Sequence, residues 1–348
     1  MTETVEIEVK RGSLTLKPSE DQDARVESDP PVEPRITANT FSISTKHLSG
    51  DVHVTVYIPK NCRRLEASLG RGPASAEDIS ADRAELNLGL GSLDARNLMG
   101  QWDINLGKGD GRVSGGDGKF DLNLGMGRLD MNDVSGTADI NSGMGPVHAA
   151  NCRGTFEVNC GKGSVGWTGA QGNLEINAGM GDVLISDSRG DRLAVNAGLG
   201  KVSLKNDRWH KAALDVGLGE VSTQGEFDDL TVHVKTRGAI TVEIPEHRGA
   251  RVEASTEHGR IISHMNLIPV GHAGPQRGQR LVGVTGDGAG RIVLETRRGN
   301  VTLSQYPSDG KSADVSEPAQ DPRTVILEQL RQGEITVEEA ESLLNALD

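Results

Sequence analysis

Aromatic residues and cysteines are scarce in this chain of 348 residues. Phenylalanine, tryptophan and tyrosine make up 3% of it, which argues against a conventional globular core built on large rings. Only three cysteines occur, Cys62, Cys152 and Cys160, and their odd number and their spacing suggest neither a disulfide framework nor a metal site. We therefore expect reduced thiols, as in a cytosolic protein.

Long apolar runs and a basic N-terminal segment are also missing. No stretch approaches the ~20 apolar residues that cross a bilayer, and the start, MTETVEIEVKRG, lacks the basic-then-apolar order of a secretory signal. The sequence therefore predicts no membrane span and a cytoplasmic location. The net charge of −13 disfavours nucleic acid and anionic membranes and suits a soluble protein or a cationic partner.

Glycine, in contrast, is abundant and recurs with a fixed period. The chain has 45 glycines, and a unit of acid, apolar residue, Asn, any residue, Gly, any residue, Gly returns every 18 or 19 residues. Self-similarity at a short fixed period is the signature of stacked repeats. The asparagines of successive units are Asn87, Asn105, Asn123, Asn141, Asn159, Asn177 and Asn196.

Each unit has the pattern of β-strands. Apolar and polar residues alternate, as in Trp102, Ile104 and Leu106, with the period of a strand. The alternation changes phase after the paired glycines, so we expect a corner there, where glycine permits positive φ. A second row of glycines, which begins at Gly100, marks another corner. The sequence thus predicts an all-β fold, a parallel β-solenoid of ~18–19-residue coils over residues 1–305.

Towards both ends the pattern loosens but persists. Two segments leave it, Ser19 to Ala38 and roughly Asn266 to Gly290. The stretches DVHVTVYIPKN, ITVEIPEHRGARVEASTEHGRI and GAGRIVLETRRGNVTL resemble the bacterial putative-adhesin β-solenoid proteins, the YvlB-like group. The resemblance implies a solenoid and a bacterial envelope-stress or surface context, and it brings no catalytic residues to this chain.

The C-terminal segment has a different composition. After a polar linker at residues 306–320, the sequence predicts an α-helical hairpin over residues 321–348, in which Gly333 ends the first helix and Thr336 and Glu339 form a capping box for the second. The hairpin is similar to the short C-terminal (SHOCT-like) domains of many bacterial proteins. A hairpin of this length cannot bury an adequate core by itself. We therefore expect its apolar side chains to serve self-association or partner binding, with docking on the solenoid as the alternative. The candidate contact residues are Ile326, Leu330, Leu343, Leu344 and Leu347.

An acid stands two residues before each of the first six asparagines, and its apolar neighbours predict that it points outward. Stacked coils would place these acids ~5 Å apart, where like charges repel. The column is either a site for a cationic peptide or divalent cations or a solvated face that keeps the rod soluble, and the solvated face is the favoured interpretation. The acids are Glu85, Asp103, Asp121, Asp139, Glu157 and Glu175.

Two further columns follow from the same repeat. The asparagines predict a ladder of side-chain amides, which we favour over a sugar site. The middle residues of the Gly-x-Gly motifs form the other column. Its two lysines suggest that the corner is at least partly exposed, but corner packing is favoured over an exposed apolar stripe for protein contact. The middle residues are Leu90, Lys108, Met126, Met144, Lys162, Met180, Leu199 and Leu218.

Signals for catalysis or cofactors are weak. The repeat lacks the second Gly-Asp half of nonapeptide calcium coils, and His258, His264 and His272 match no metal-ligand spacing. Phosphate-loop, nucleophile-elbow and dinucleotide patterns are absent from the sequence. We predict no enzyme activity, no cofactor and no metal, and a binding or scaffold function in which the hairpin serves assembly. The alternatives are a surface adhesin and a carbohydrate-active β-helix enzyme.

Overall fold

The structure is a computed structural model that describes residues 2–269 and 278–307. Its regular elements are β-strands, and no α-helix occurs in these residues, so the all-β prediction is confirmed for this part of the chain. In the same residues, no helix is long and apolar enough to cross a membrane. The predicted hairpin lies outside the described residues, together with Ile326, Leu330, Leu343, Leu344 and Leu347.

The strands form three groups along the chain, one at each end and a regular group between them. The first group is β1 (Thr4–Ser19), β2 (Arg25–Asp29), β3 (Arg35–Thr37), β4 (Thr40–Ser44) and β5 (Val52–Pro59). The regular group is β6 (Arg64–Arg71), β7 (Ala74–Glu77), β8 (Ser80–Leu90), β9 (Leu93–Lys108), β10 (Gly111–Met126), β11 (Leu129–Asn132), β12 (Ser135–Met144), β13 (Val147–Ala150), β14 (Arg153–Lys162), β15 (Val165–Thr168), β16 (Gln171–Met180), β17 (Val183–Ser186), β18 (Arg189–Leu199), β19 (Val202–Leu218) and β20 (Val221–Arg237). The last group is β21 (Ile240–Pro245), β22 (Ala250–His258), β23 (Ile261–Ser263), β24 (Ile268–Pro269), β25 (Gln279–Thr285), β26 (Gly290–Arg298) and β27 (Val301–Tyr306).

Successive coils of the regular group lie in parallel register, residue on residue. Asn105 lies opposite Asn123, and the Gly109 N–H donates to the Met126 carbonyl at 2.9 Å. The step between coils lengthens to 19 residues where β18 joins β16, because the register there shifts by one residue at a β-bulge. The predicted parallel solenoid is therefore confirmed.

The core is a narrow stack of inward side chains, a few from each coil. Trp102, Phe120 and Phe156 occupy successive levels of one such stack together with alanine at Ala138, and each is at most 5% exposed. Phe156 also packs on Trp167 across the interior, with ring centroids 5.2 Å apart. Each coil contributes only one residue to a stack, and most other buried positions are aliphatic. The narrow interior is therefore filled with few aromatic rings.

Glycine at the first corner is required by both backbone conformation and space. Gly127 has a φ of +143°, and a Cβ on it would lie 1.9 Å from the carbonyl oxygen of Gly109 in the preceding coil. The predicted corner is confirmed. At the second corner, the predicted glycine row is accompanied by a second row with positive φ, which was not predicted and is made of residue types that tolerate it. These residues are Asp78, Asn97, Gly115, Asp133, Asn151, Gly169, Asp187 and Asn206.

The first excursion covers the N-terminal end of the solenoid. Strand β1 is not the end coil, because it pairs in parallel with β4 and β5 on one side and with β6 and β7 on the other. Strands β2 and β3 then run antiparallel along β5 and β4. A solenoid end would otherwise present a row of unpaired backbone groups, so these strands act as a cap.

The C-terminal end is built in the same way. Strand β26 lies between β20 and β22, and β27 lies between β21 and β23. Strand β25 of the second excursion runs antiparallel along β22. Stacking in chain order, which the repeat predicts for the whole solenoid, therefore holds for the regular coils and is wrong at both ends.

Candidate binding surface

The predicted acid column exists and lies on the outer surface of the coils. Asp103, Asp121 and Asp139 lie directly opposite one another in successive coils, and Ala138 and Ile140 beside Asp139 are buried. The six predicted acids all remain at least partly exposed. Strand pairing therefore aligns on one face Glu85, Asp103, Asp121, Asp139, Glu157 and Glu175.

The column is longer than the sequence indicated. Glu66 lies opposite Glu85, and Glu6 lies opposite Glu66. Glu66 was not predicted because serine, at Ser68, replaces the asparagine that marks the later units. Glu6 was missed because the excursion between β1 and β6 separates the two acids by 60 positions along the chain, so no short period connects them.

Charges within the column repel one another. The pKa of Asp139 is raised above its ordinary value, first by partial burial and then by the neighbouring charges of Glu157 and Asp121. Lys119 offsets part of this effect, and its Nζ lies 3.7 Å from a carboxylate oxygen of Asp121. Asp139 is thus a place where an added cation would relieve an existing unfavourable interaction.

Metal binding receives no geometric support from the described residues. Among residues 2–269 and 278–307, no group of three or more histidine, cysteine, aspartate or glutamate side chains could hold a metal ion. The acids are spaced by one coil along the rod instead of converging on one point. The arrangement suits a long partner with many positive charges better than a single divalent cation.

The asparagines form the predicted amide ladder. Each Nδ2 donates to the Oδ1 of the asparagine in the preceding coil, as from Asn141 to Asn123 and from Asn159 to Asn141, both at 3.1 Å. The bonds along the column measure 2.8–3.1 Å. A ladder that consumes these donors supports stacking of the coils and leaves fewer of them for a sugar. It joins Asn87, Asn105, Asn123, Asn141, Asn159, Asn177 and Asn196.

The ladder also orients the acids. Asn87 donates to Glu85 at 2.7 Å and Asn105 donates to Asp103 at 2.9 Å. Weaker bonds of the same kind, at 3.3 Å, join asparagine and acid in the β12 and β14 coils. The carboxylates of Glu85, Asp103, Asp139 and Glu157 are thereby held towards the asparagine column.

A column of outward-facing glycines follows the asparagines. A Cβ on Gly143 would lie 2.6 Å from the carbonyl oxygen of Gly125, so close coil packing is what requires glycine. With no side chains the column forms the floor of a hollow along the rod, which we call the trough. One part, an open depression between Asn105 and Asn159, has a volume of about 530 Å³. A second open depression, which extends to Glu8 and is also lined by Lys10 and Lys46, has a volume of about 750 Å³.

The residues at the first corner border the trough on its other side and are exposed. We call them the corner column; it comprises Leu90, Lys108, Met126, Met144, Lys162, Met180, Leu199 and Leu218. Its six apolar members are 40–49% exposed. Corner packing, the favoured interpretation of the sequence, is therefore wrong, because the side chains project outward where the backbone turns at the glycines. Exposed methionines and leucines in a row are typical of protein-contact surfaces.

The three cysteines lie in the interior. Cys62, Cys152 and Cys160 are free thiols and buried, as expected. Burial raises the pKa of Cys62 and of Cys152 to about 11, which disfavours the reactive thiolate.

Of the three histidines noted in the sequence, His258 ends β22 and the backbone N–H of His264 donates to the Leu303 carbonyl at 2.8 Å. His272 lies outside the described residues.

The fold and this surface define the protein as a capped parallel β-solenoid with a trough along its coils, bordered by acids as far as Glu175 and by the exposed corner column. The sequence model of the Toastrack DUF4097 family matches residues 2–304. The chain belongs to the Toastrack DUF4097 family, which confirms the expectation of a β-solenoid family.

No curated protein matches the chain. A crystal structure of a putative cell adhesion protein from Clostridium sporogenes is similar over 88% of this chain and 94% of that chain, at 9% identity and a TM-score of 0.20.

Proposed function

We propose that this chain is a non-enzymatic binding protein, a rigid rod that presents the trough to a cationic polypeptide partner. The observation that supports this proposal best is the composition of the two borders of the trough. Carboxylates lie beyond the asparagines on one side, and exposed methionines and leucines lie on the other. A partner that carries both positive charge and apolar side chains would satisfy both borders at once.

The regular placement of the acids, one in each coil, favours binding over catalysis. Glycoside hydrolysis and other carboxylate chemistry need two acids in different environments, one protonated and one ionised. The acid column instead repeats the same outward position from coil to coil, two residues before an asparagine, although partial burial and neighbouring charges raise the pKa of Asp139. The carbohydrate-active alternative would gain support only from measurable turnover of a polysaccharide by the purified protein.

The cellular context is proposed from the sequence. We place the protein in the cytoplasm of a bacterium, in the envelope-stress context that the YvlB-like resemblance implies, and the buried thiols are compatible with a reducing compartment. The alternative, a surface adhesin, would be supported by export of the native protein. Residues 321–348 are proposed to form the assembly or partner-binding element, through the apolar residues named from the sequence.

Photo-crosslinking tests the proposed surface. A photoreactive amino acid is placed at Met144, in the corner column, or at Met99, a methionine at the second corner that is similarly exposed (49% and 54%). In cells that produce the full chain, we expect protein adducts at position 144 well in excess of those at position 99. Combining the probe at position 144 with Asp103→Asn, Asp121→Asn and Asp139→Asn should reduce the adducts.

Comparing the two probe positions shows whether the partner contacts the trough or any exposed methionine. Equal labelling at both positions, or labelling at position 144 that survives neutralisation of the three acids, would show that the trough is not the contact surface. The solvated-face interpretation of the acid column would then stand.

A further inference from the structure

The trough is wide enough to hold an α-helix. From an acid to the corner residue of the same strand, as from Asp139 to Met144, the chain advances five residues, which in a strand spans roughly 16 Å. An α-helix with its side chains is about 10–12 Å across, so a helix on the glycine floor fits between the borders, within reach of the long side chains on each. The part of the acid column from Glu85 to Glu175 covers five coil steps, or about 24 Å. An 18-residue helix is about 27 Å long.

The backbone of the trough floor offers nothing to a partner strand. The trough runs along the rod, across the strands, and the backbone groups of its coils are bonded to the coils above and below, as from Gly127 N–H to the Met144 carbonyl at 2.9 Å. The asparagine donors are used in the ladder. An extended peptide would therefore leave its own backbone groups without protein partners, whereas a helix satisfies them internally.

The side chains on the two borders specify the chemistry of the helix. Methionine is flexible and polarizable, and methionine-rich surfaces accept helices of varied shape. Met126 and Met144 form an apolar patch in adjacent coils between Lys108 and Lys162 of the same column. The acids on the other border call for lysine or arginine. Apolar residues at positions i, i+3, i+4 and i+7 on one face, with basic residues beside them, fit this surface.

Charge argues for a separate polypeptide as the occupant. The chain carries a net charge of −13, so two copies would bring like-charged acid columns together. The sequence of residues 321–348 itself has more acidic than basic side chains. We infer that the trough binds a basic amphipathic α-helix of a partner protein, laid along the rod with its apolar face on Met126 and Met144. This inference rests on the proposed binding function and specifies the partner.

A designed peptide tests the inference on the full chain. The probe is a fluorescent 18-residue peptide with leucines at helical spacing on one face and lysines on the rest. A peptide of the same composition in scrambled order and an 18-residue polylysine serve as peptide controls. Binding is followed by fluorescence anisotropy, and the helicity of the peptide is followed by circular dichroism.

Protein variants assign the contacts. Asp103→Asn, Asp121→Asn and Asp139→Asn together, and Met126→Lys with Met144→Lys, should each weaken binding roughly tenfold or more. Met99→Lys, at the other corner, should leave binding within about twofold. Lysine already occurs twice in the corner column, so the methionine variants should fold, and their melting temperatures check this.

Each outcome bears on the inference. Helix formation on binding, with both controls at least roughly tenfold weaker, is the expected result. Equal binding by the scrambled peptide or polylysine would overturn it, because charge alone would then be the cause. An absence of peptide binding would overturn it too. If adducts at position 144 persisted in that case, the binding function would stand with a partner of another shape.

Discussion

The asparagine ladder makes a quantitative prediction about coupling between neighbouring coils. Asn141→Ala removes the bonds to Asn123 and Asn159, and Asn159→Ala removes the bonds to Asn141 and Asn177. The double variant removes three ladder bonds, although the two single variants together remove four. The shared bond between Asn141 and Asn159 is counted twice in the sum of the singles, so the effects should not be additive.

The size of the coupling is that of one hydrogen bond. A typical bond contributes about 0.5–1.5 kcal/mol to the free energy of unfolding, so the double variant should lose about 1 kcal/mol less than the sum of the singles. The bonds from Asn141 to Asp139 and from Asn159 to Glu157 lie within single strands, and they cancel in the cycle. The control pair is Asn105→Ala with Asn159→Ala, which shares no bond and should be additive.

Urea unfolding followed by tryptophan fluorescence measures both cycles. Trp102, Trp167 and Trp209 are each 1% exposed, so their emission reports on the solenoid interior. Equal denaturant slopes across the variants are required for the free energies to be compared. Equal coupling in the adjacent and the separated pair would refute the ladder as a source of stability. Additivity in both pairs is the zero-coupling case of that result, in which water replaces the lost bonds at no cost.

Two further predictions concern single residues. Gly143→Ala should destabilise the solenoid by about 3 kcal/mol or more, because the new Cβ would lie 2.6 Å from the carbonyl oxygen of Gly125. The control variant Gly111→Ala should cost far less, because its Cβ would meet only side chains, the nearest at 3.4 Å. Equal melting temperatures for the two variants would contradict this prediction. Burial raises the pKa of Asp207 to about 7 from 3.8, so its ionisation destabilises the folded state increasingly from about pH 4 to pH 7. The stability of the wild type relative to Asp207→Ser, which copies Ser188 in the preceding coil, should therefore fall by about 2–3 kcal/mol between pH 5 and pH 8; a difference independent of pH would contradict it.

The regular coils could be predicted because their contacts are periodic. Asn105, Asn123 and Asn141 meet in space because they occupy the same place in successive units, and a parallel stack converts a constant step along the chain into a column of side chains. The acid column, the ladder and the corner at the paired glycines follow from this step together with the alternation of apolar residues.

Contacts at the two ends could not be predicted because they do not follow the step. Thr4 pairs with Thr40 on one side and with Arg64 on the other, and nothing in the local pattern of β1 specifies either distance along the chain. The extension of the acid column to Glu66 and Glu6 was missed for the same reason. The roles of the excursions as caps depend on which edges remain open once the coils have stacked.

The sequence by itself determined the coil length, the fold class and which side chains share a column, since all three depend on local spacing. Tertiary structure alone decided that the methionines and leucines of the corner column are exposed, that the glycines form the floor of a trough and that acids and apolar side chains border it. The physical reason is the backbone turn at the paired glycines. Alternation predicts which side of a strand a residue faces, but at a corner the direction of the side chain depends on the positive φ of the glycine that follows.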